Sequence, residues 1–224
     1  MIHYHGTPIT PRSVLLRLGG RSFCVSHASP NDVKVCHNIG ESVMLDNGAF
    51  SAWRSGAPVD WDKYYKWCGP WLEYKTTWAV IPDVIDGTED DNNALIAKWP
   101  HGDRGAPVWH LHESRDRLRR LCDEWPRVCF GSSGFFSVVG SDLWHQRIIQ
   151  AFNTIAPGGS VPVWIHMMRG LNLCGSDYPF SSADSTNVAQ NHHRDGLDKI
   201  KDIDSRQCPG RWVSPGEQGK LCID

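Results

Sequence analysis

No run of apolar residues in this 224-residue chain approaches the length needed to cross a bilayer. Its opening, MIHYHGTPITPR, lacks the basic start and apolar stretch of a secretory signal; the expected location is therefore the cytoplasm. Cysteine occurs eight times but never as C-x-x-C. Its scatter over positions 24, 36, 68, 122, 129, 174, 208 and 222 excludes a tight all-cysteine zinc knuckle, and suits reduced thiols better than a disulfide framework. A dominant charge is lacking too. With 23 Lys and Arg against 25 Asp and Glu, net −2, any nucleic-acid binding must come from a local patch. Repeats, low-complexity tracts and linkers are missing, and no G-x-G-x-x-G opens a helix-like segment, which leaves a dinucleotide fold without support.

What is present is ordinary globular material, 40% hydrophobic, with eleven tryptophans to fill core and rim. The length suits one domain, 1–224, with 192–224 expected as a C-terminal extension packed on it. Short β-branched or aromatic runs alternate with polar, helix-prone segments. Strands are expected over 21–28, 41–46, 76–83, 106–113, 127–133, 161–167 and 178–184. Helices are expected over 59–74 (interrupted at Gly69-Pro70), 88–99 opened by Thr88, 114–125 opened by Ser114, and 141–156. This alternation predicts a parallel sheet covered by helices. The strand count favours a single TIM-like (β/α)8 barrel, irregular or shortened forms included, over an open doubly wound sheet.

In such a barrel the carboxyl ends of the strands converge on one face, where chemistry is done. Those ends read Asp46, Asp83, His112-Glu113, Gly131-Ser132-Ser133, His166 and Asp184. Taken singly, Asp46 and Asp83 suit turns ("DNG", "IPD"), Phe50 suits a core, and Asp184 could cap a helix beginning at Ser185. Taken together, three strand-end aspartates beside small residues leave room for a flat ligand, and Phe50, four residues after Asp46, offers it a stacking face.

The stretches MLDNGAFSAW, IPDVIDG, CFGSSG and FSSADSTNVAQN resemble the small bacteriophage members of the tRNA-guanine transglycosylase superfamily, the DpdA-type DNA transglycosylases. The likeness runs from HYHGTPI to about Asn191. It implies an exchange of guanine in DNA for a free 7-deazaguanine base (preQ0-like), and the host cytoplasm as the location of a phage-encoded chain. Asp184 would be the nucleophile and Asp46 the general acid/base. Asp83 would read the purine edge and Phe50 stack on the base, with Asn47, His112, Gly131, Ser132 and His166 lining the base site. Two carboxylates with separated acidities are what a double displacement through a glycosyl-carboxylate intermediate needs.

The tRNA enzymes' C-x-C-x-x-C zinc cluster is missing here. His192, His193, Cys208 and Cys222 could supply four irregularly spaced ligands; no cofactor is otherwise expected. Arg169, Arg194, Lys199 and Lys201 are the expected phosphate contacts. The arginine run 114–121 reads instead as a solvated helix face with Asp116 paired to Arg120. A tRNA-guanine exchanger, a carboxylate-pair nucleosidase or glycosidase, and a non-catalytic purine or nucleic-acid binding module are the alternatives. Oligomeric state is left open.

Overall fold

The computed structural model describes residues 1–215. Its sheet contains nine strand segments: β1 (Ile2–Gly6), β2 (Ser22–Ser26), β3 (Ser42–Asp46), β4 (Thr77–Val80), β5 (Gly105–Ala106), β6 (Val108–His110), β7 (Arg127–Gly131), β8 (Trp164–Met167) and β9 (Ser182–Ser185). Hydrogen-bonded neighbours follow the order β5-β4-β3-β2-β1-β9-β8-β7-β6, and every pairing is parallel. β5 and β6 are consecutive pieces of one run broken at Pro107, which has no N–H to give a ladder. That run bridges the two ends of the sheet: Ile81 N donates to Ala106 O and Cys129 N to Pro107 O, both at 2.9 Å. The fold is a nearly closed, TIM-like α/β barrel, as the alternation of strands and helices predicts.

Among the described residues eight α-helices lie between and after the strands: α1 (Arg12–Leu16), α2 (Val33–Ile39), α3 (Ala49–Ser55), α4 (Trp61–Leu72), α5 (Glu89–Ala97), α6 (Arg115–Glu124), α7 (Asp142–Ile155) and α8 (Asn187–Ser205). Thr88 opens α5 with a capping box to Asp91, and Ser114 and Ser141 cap α6 and α7 as their positions suggest. Among the described residues no helix is long and apolar enough to cross a membrane.

Three expectations need correction. The break at Gly69-Pro70 does not occur: α4 runs through both, because Pro70 stands in the last turn while Tyr64, Cys68 and Leu72 stay buried along one face. In α6, Asp116 pairs with Arg119 (2.9 Å) rather than Arg120. Arg117 is buried, its Nη1 bonded to Glu113 Oε2 at 2.5 Å and to Val108 O at 3.0 Å, so the face is not solvated throughout. The segment from residue 192 does not begin as an appendage, since 192–205 continues α8, which starts at Asn187 and kinks at Gly196 (φ 68°). Beyond it, buried Trp212 donates to Asn153 on α7 at 2.7 Å.

Alternation decides which side chains enter the barrel. Tyr4, Cys24, Met44, Trp78, Val80, Val108 and Cys129 fill it as one cluster, while their neighbours Phe23, Val25, Val43, Leu45, Ala79, Trp109 and Phe130 pack outward under the helices. Tyr4 Oη accepts from Ser42 Oγ and Trp78 Nε1, both at 3.0 Å, satisfying the buried phenol near the amino-terminal end.

By the same parity His3 and His5 of β1 face outward, and both are buried. Asp204, near the end of α8, accepts from His3 Nδ1 (2.9 Å) and His5 Nε2 (3.1 Å), with Arg21 Nη1 at 3.4 Å. Burial opposes ionisation of Asp204, but the two imidazole bonds outweigh it and hold the carboxyl well below its usual range. Burial also holds His5 below its usual value, against the opposing bond from Asp204. Both folded-state values are depressed, so both groups contribute stability that is complete above the unfolded values and lost as pH falls. The His5 part fades below about pH 6.5 and the Asp204 part below about 3.9. Asp204→Asn should cost about 1–3 kcal/mol at pH 7.5, and thermal melts against pH should show a shallower acid-side decline than the wild type. An unchanged midpoint would mean the cluster carries no stability.

Candidate active site

At the carboxyl-terminal face the inward parity brings Ser26, Asp46, His110, Gly131, Met168 and Asp184 to the rim of one cavity of about 300 Å³, with Asp83 and Phe50 closing its walls. This volume is at the small end of ligand pockets and suits a single planar ring system. The three aspartates, Phe50, Asn47, Gly131, Ser132 and Arg169 all line it.

Asp184 does not cap a helix. It lies within β9, opposite Tyr4 of β1, and Thr186 stands at the N-cap of α8 with no side-chain bond to it. Its Oδ1 takes two bonds, from His166 Nε2 at 3.2 Å and from the backbone N–H of Arg169 at 2.8 Å. Among the described residues no such bond is made to Oδ2. Arg169 adopts a left-handed backbone (φ 57°), which only this non-glycine residue does among those described; the turn it makes aims its N–H at the carboxylate. His166 is fully buried beneath. A carboxylate only accepts, so Nε2 carries the proton and Nδ1 accepts from Ser182 Oγ at 2.8 Å. Ser182 in turn accepts from Trp164 Nε1 at 2.7 Å. Donors therefore run in one direction, Trp164 to Ser182 to His166 to Asp184. Burial would raise the pKa of Asp184, but the His166 bond and the Arg169 amide outweigh it and hold the carboxyl below its usual value.

Asp46 sits under the opposite regime. Burial pushes its carboxyl up to about 6; the Ser26 hydroxyl and the Gly48 N–H (3.1 Å) pull the other way, while Asp184 and Asp83 add like-charge repulsion. Gly48 takes the left-handed φ of 78° that lets "DNG" turn sharply out of β3 into α3.

Asn47 is committed to the scaffold. Its amide donates to Asp83 Oδ1 (2.7 Å) and Ile81 O (2.9 Å), and its oxygen accepts from Ala49 N (2.8 Å), so it orients Asp83 rather than offering free atoms to a ligand. The Ser132 hydroxyl likewise accepts from Trp144 Nε1 at 3.1 Å. Phe50 lines the mouth, with the Arg169 guanidinium 4.1 Å from its ring centroid and Arg54 at 5.9 Å.

Two expected base-site residues are placed elsewhere. His166 supports Asp184 from below instead of touching the cavity. His112 is exposed outside it, bonded to Ser133 Oγ (2.7 Å) and Gly87 O (3.2 Å). The strand ends at His110, not at Glu113, because Glu113 folds back to take the His110 N–H (2.8 Å) and the turn throws His112 outward. His110 is the inward histidine; alternation alone puts His110 and His112 on one face, and nothing local in the sequence marks the end of the strand between them. His110 is buried, lines the cavity, and holds Nε2 3.0 Å from Asp83 Oδ2, off the line of a hydrogen bond; neither ring nitrogen has a partner.

Of the expected phosphate contacts whose side chains are described, Arg169 alone reaches the mouth. Arg194 and Lys201 are exposed on α8 and do not line the cavity. Lys201 pairs with Asp198 at 3.6 Å, roughly 20 Å of helix beyond the start of α8. The side chain of Lys199 and all of Cys222 lie outside the described residues. The expected zinc grouping gains nothing from the rest: Cys208 Sγ bonds Leu173 O at 3.3 Å and His192 Nδ1 bonds Val188 O at 2.9 Å. Among the described residues one set of metal-binding side chains converges, His3, His5 and Asp204. Most of their polar atoms are engaged by one another, Ser185 and Arg21, and only His5 Nδ1 is left without a partner, so they read as a hydrogen-bond network rather than an open ligand set.

The raised Asp46 carboxyl gives a linkage opposite in sign to that of Asp204. A value lifted to about 6 contributes stability that is full at acid pH and lost as pH rises through 6. Asp46→Asn should therefore raise stability at pH 7.5 by about 1–2 kcal/mol and change it little at pH 4. Paired denaturant titrations at the two pH values check this; equal destabilisation at both would reduce Asp46 to a turn former.

No protein-family model, curated protein or solved structure matches this chain.

Proposed function

We propose that the protein exchanges the base of a nucleotide in DNA, releasing guanine and inserting a 7-deazaguanine through a covalent aspartyl-glycosyl intermediate. The observation that carries this is the opposed state of two carboxylates in one cavity: Asp184 is held ionised with Oδ2 free of the bonds on Oδ1, and Asp46 is poised to hold or give a proton near pH 6. In the first displacement Asp184 Oδ2 bonds to the sugar's anomeric carbon. The N-glycosidic bond breaks, its electron pair stays on the base nitrogen, and Asp46 supplies the proton. In the second, Asp46 takes the proton from the same nitrogen of the incoming base, which attacks the anomeric carbon and frees Asp184. The stacking face of Phe50 and the small walls at Gly131 suit a planar base, and Asp83, fixed by Asn47, faces the N–H groups of a guanine edge. The choice of DNA rests on the likeness of the four motifs to the phage enzymes. In duplex DNA the base would have to be turned out of the stack into the cavity.

The test uses labelled guanine or 7-deazaguanine with DNA or tRNA. Wild type should incorporate label into DNA; Asp184→Asn should lose several orders of magnitude in rate while circular dichroism shows the chain still folded. Without an incoming base, wild type should accumulate a protein–DNA adduct stable to denaturing electrophoresis. Adduct formation should decline above pH 6, as Asp46 loses its proton, and Asp184→Asn should form none. Label entering tRNA alone, free base released with water as the acceptor, or near wild-type exchange by Asp184→Asn would each overturn the proposal.

A further inference from the structure

The loops after β3, β4, β6 and β7 follow one another around the rim, and they carry a disproportionate share of the exposed apolar surface. Trp53 (52% exposed), Val84, Phe135 (89% exposed) and Val138 all stand there. A single exposed apolar side chain is ordinary, but four gathered on neighbouring rim segments beside the candidate active site mark a candidate interaction surface. The arc is braced loop to loop. Trp53 Nε1 donates to Asp86 Oδ2 at 2.7 Å, fixing the indole edge and occupying that carboxylate. His112 ties the next two loops together through Gly87 O and Ser133 Oγ. A chemical gradient crosses the mouth as well: Trp53 stacks at 5.8 Å on Phe50, and the guanidiniums of Arg54 and Arg169 flank the Phe50 ring.

We infer that this arc is a stacking platform for single-stranded nucleic acid, seating the nucleotides next to the one whose base enters the cavity. Aromatic faces beside guanidiniums are what a strand of unpaired bases recognises. Each base stacks on a ring while its phosphate meets a cation, and no base identity is required. A duplex, its bases already stacked, offers these rings nothing but its backbone. The inference rests on the reading of the cavity as a base site and adds strandedness to it.

The experiment measures binding of a fluorescent 15-nucleotide single strand of mixed sequence, and of the same sequence as a duplex, to the full chain carrying Asp184→Asn. That background separates binding from chemistry. The single strand should bind more tightly. Trp53→Ala and Phe135→Ala should each weaken it about ten-fold or more and leave duplex binding within two-fold. Tyr74→Ala removes an equally exposed aromatic ring ahead of β4, at the amino-terminal face, and should change neither. Equal affinity for both forms, or rim variants that bind like their parent, would overturn the inference. So would sedimentation showing that the rim substitutions dissolve a dimer, since the patch would then belong to a second copy. Loss of single-strand binding in the rim variants, with no base exchange by the wild type, would leave this inference standing and sink the preceding one. Exchange on duplex DNA indifferent to the rim would do the reverse.

Discussion

The two-residue period of a parallel strand is the constraint from which the candidate site follows. In a barrel each strand sends every second side chain inward, so only one inward position per strand can reach the carboxyl-terminal layer. Here that layer holds Gly6, Ser26, Asp46, His110, Gly131, Met168 and Asp184. One layer below, the same strands give Tyr4, Cys24, Met44, Val108 and Cys129, a packed apolar floor beneath the cavity. The polar residues are affordable at the top because the apolar ones close the barrel beneath them. A shift of register by one residue would exchange Asp184 for Ala183 or Ser185 and empty the site.

Electrostatics then divides the labour among the carboxylates. Three aspartates in one small cavity repel one another, and ionising all of them in low dielectric would be costly. The fold resolves this by unequal support. Asp184 receives an imidazole N–H and a backbone amide on one oxygen; Asp46 receives weaker support and is left to desolvation and its like-charged neighbours. Asp83 is tied to Asn47 and crowded by His110. The donor sequence Trp164, Ser182, His166 rises through the barrel interior to end on Asp184, so the anion is stabilised by groups that cost no reorganisation when charge moves.

Much of this was legible in the sequence, and the misses have physical causes. Seven strand runs announce themselves by their apolar side chains, α6 and α7 by apolar periodicity, and α5 by the Thr88 cap and its acidic first turn. β1 does not, since IHYHG alternates polar rings whose outward histidines find their partners only in distant residues, Asp204 for both and Ser185 for His3. The aspartates and Phe50 were found from their strand-end positions and their motifs. His110 and His112 were interchanged because no local pattern reveals that Glu113 folds back to end the strand. The role of His166 under Asp184, and of Asn47 beneath Asp83, depends on contacts across strands that a linear reading cannot pair. Arg194 and Lys201 were chosen for nearness in sequence to Asp184, but a helix carries its residues away from the rim by 1.5 Å each.

The seam between β1 and β9 joins the stability of the barrel to its chemistry. The first and last strands pair there in register, His3 beside Ala183 and Tyr4 beside Asp184. His3 bonds outward to Asp204 of α8 and through Nε2 to Ser185 Oγ at 2.7 Å, the residue directly after Asp184. One buried carboxylate at the end of α8 thus fixes the two histidines of β1, and through Ser185 the backbone that presents Asp184 to the cavity. Long-range closure of this kind is entropically the most demanding part of such a fold, since loop-closure entropy must be met before the contact stabilises anything. Asp184 stands at that closure, so its carboxylate is in place only when the ring is complete, and the anion faces the cavity only once the barrel exists to shield it.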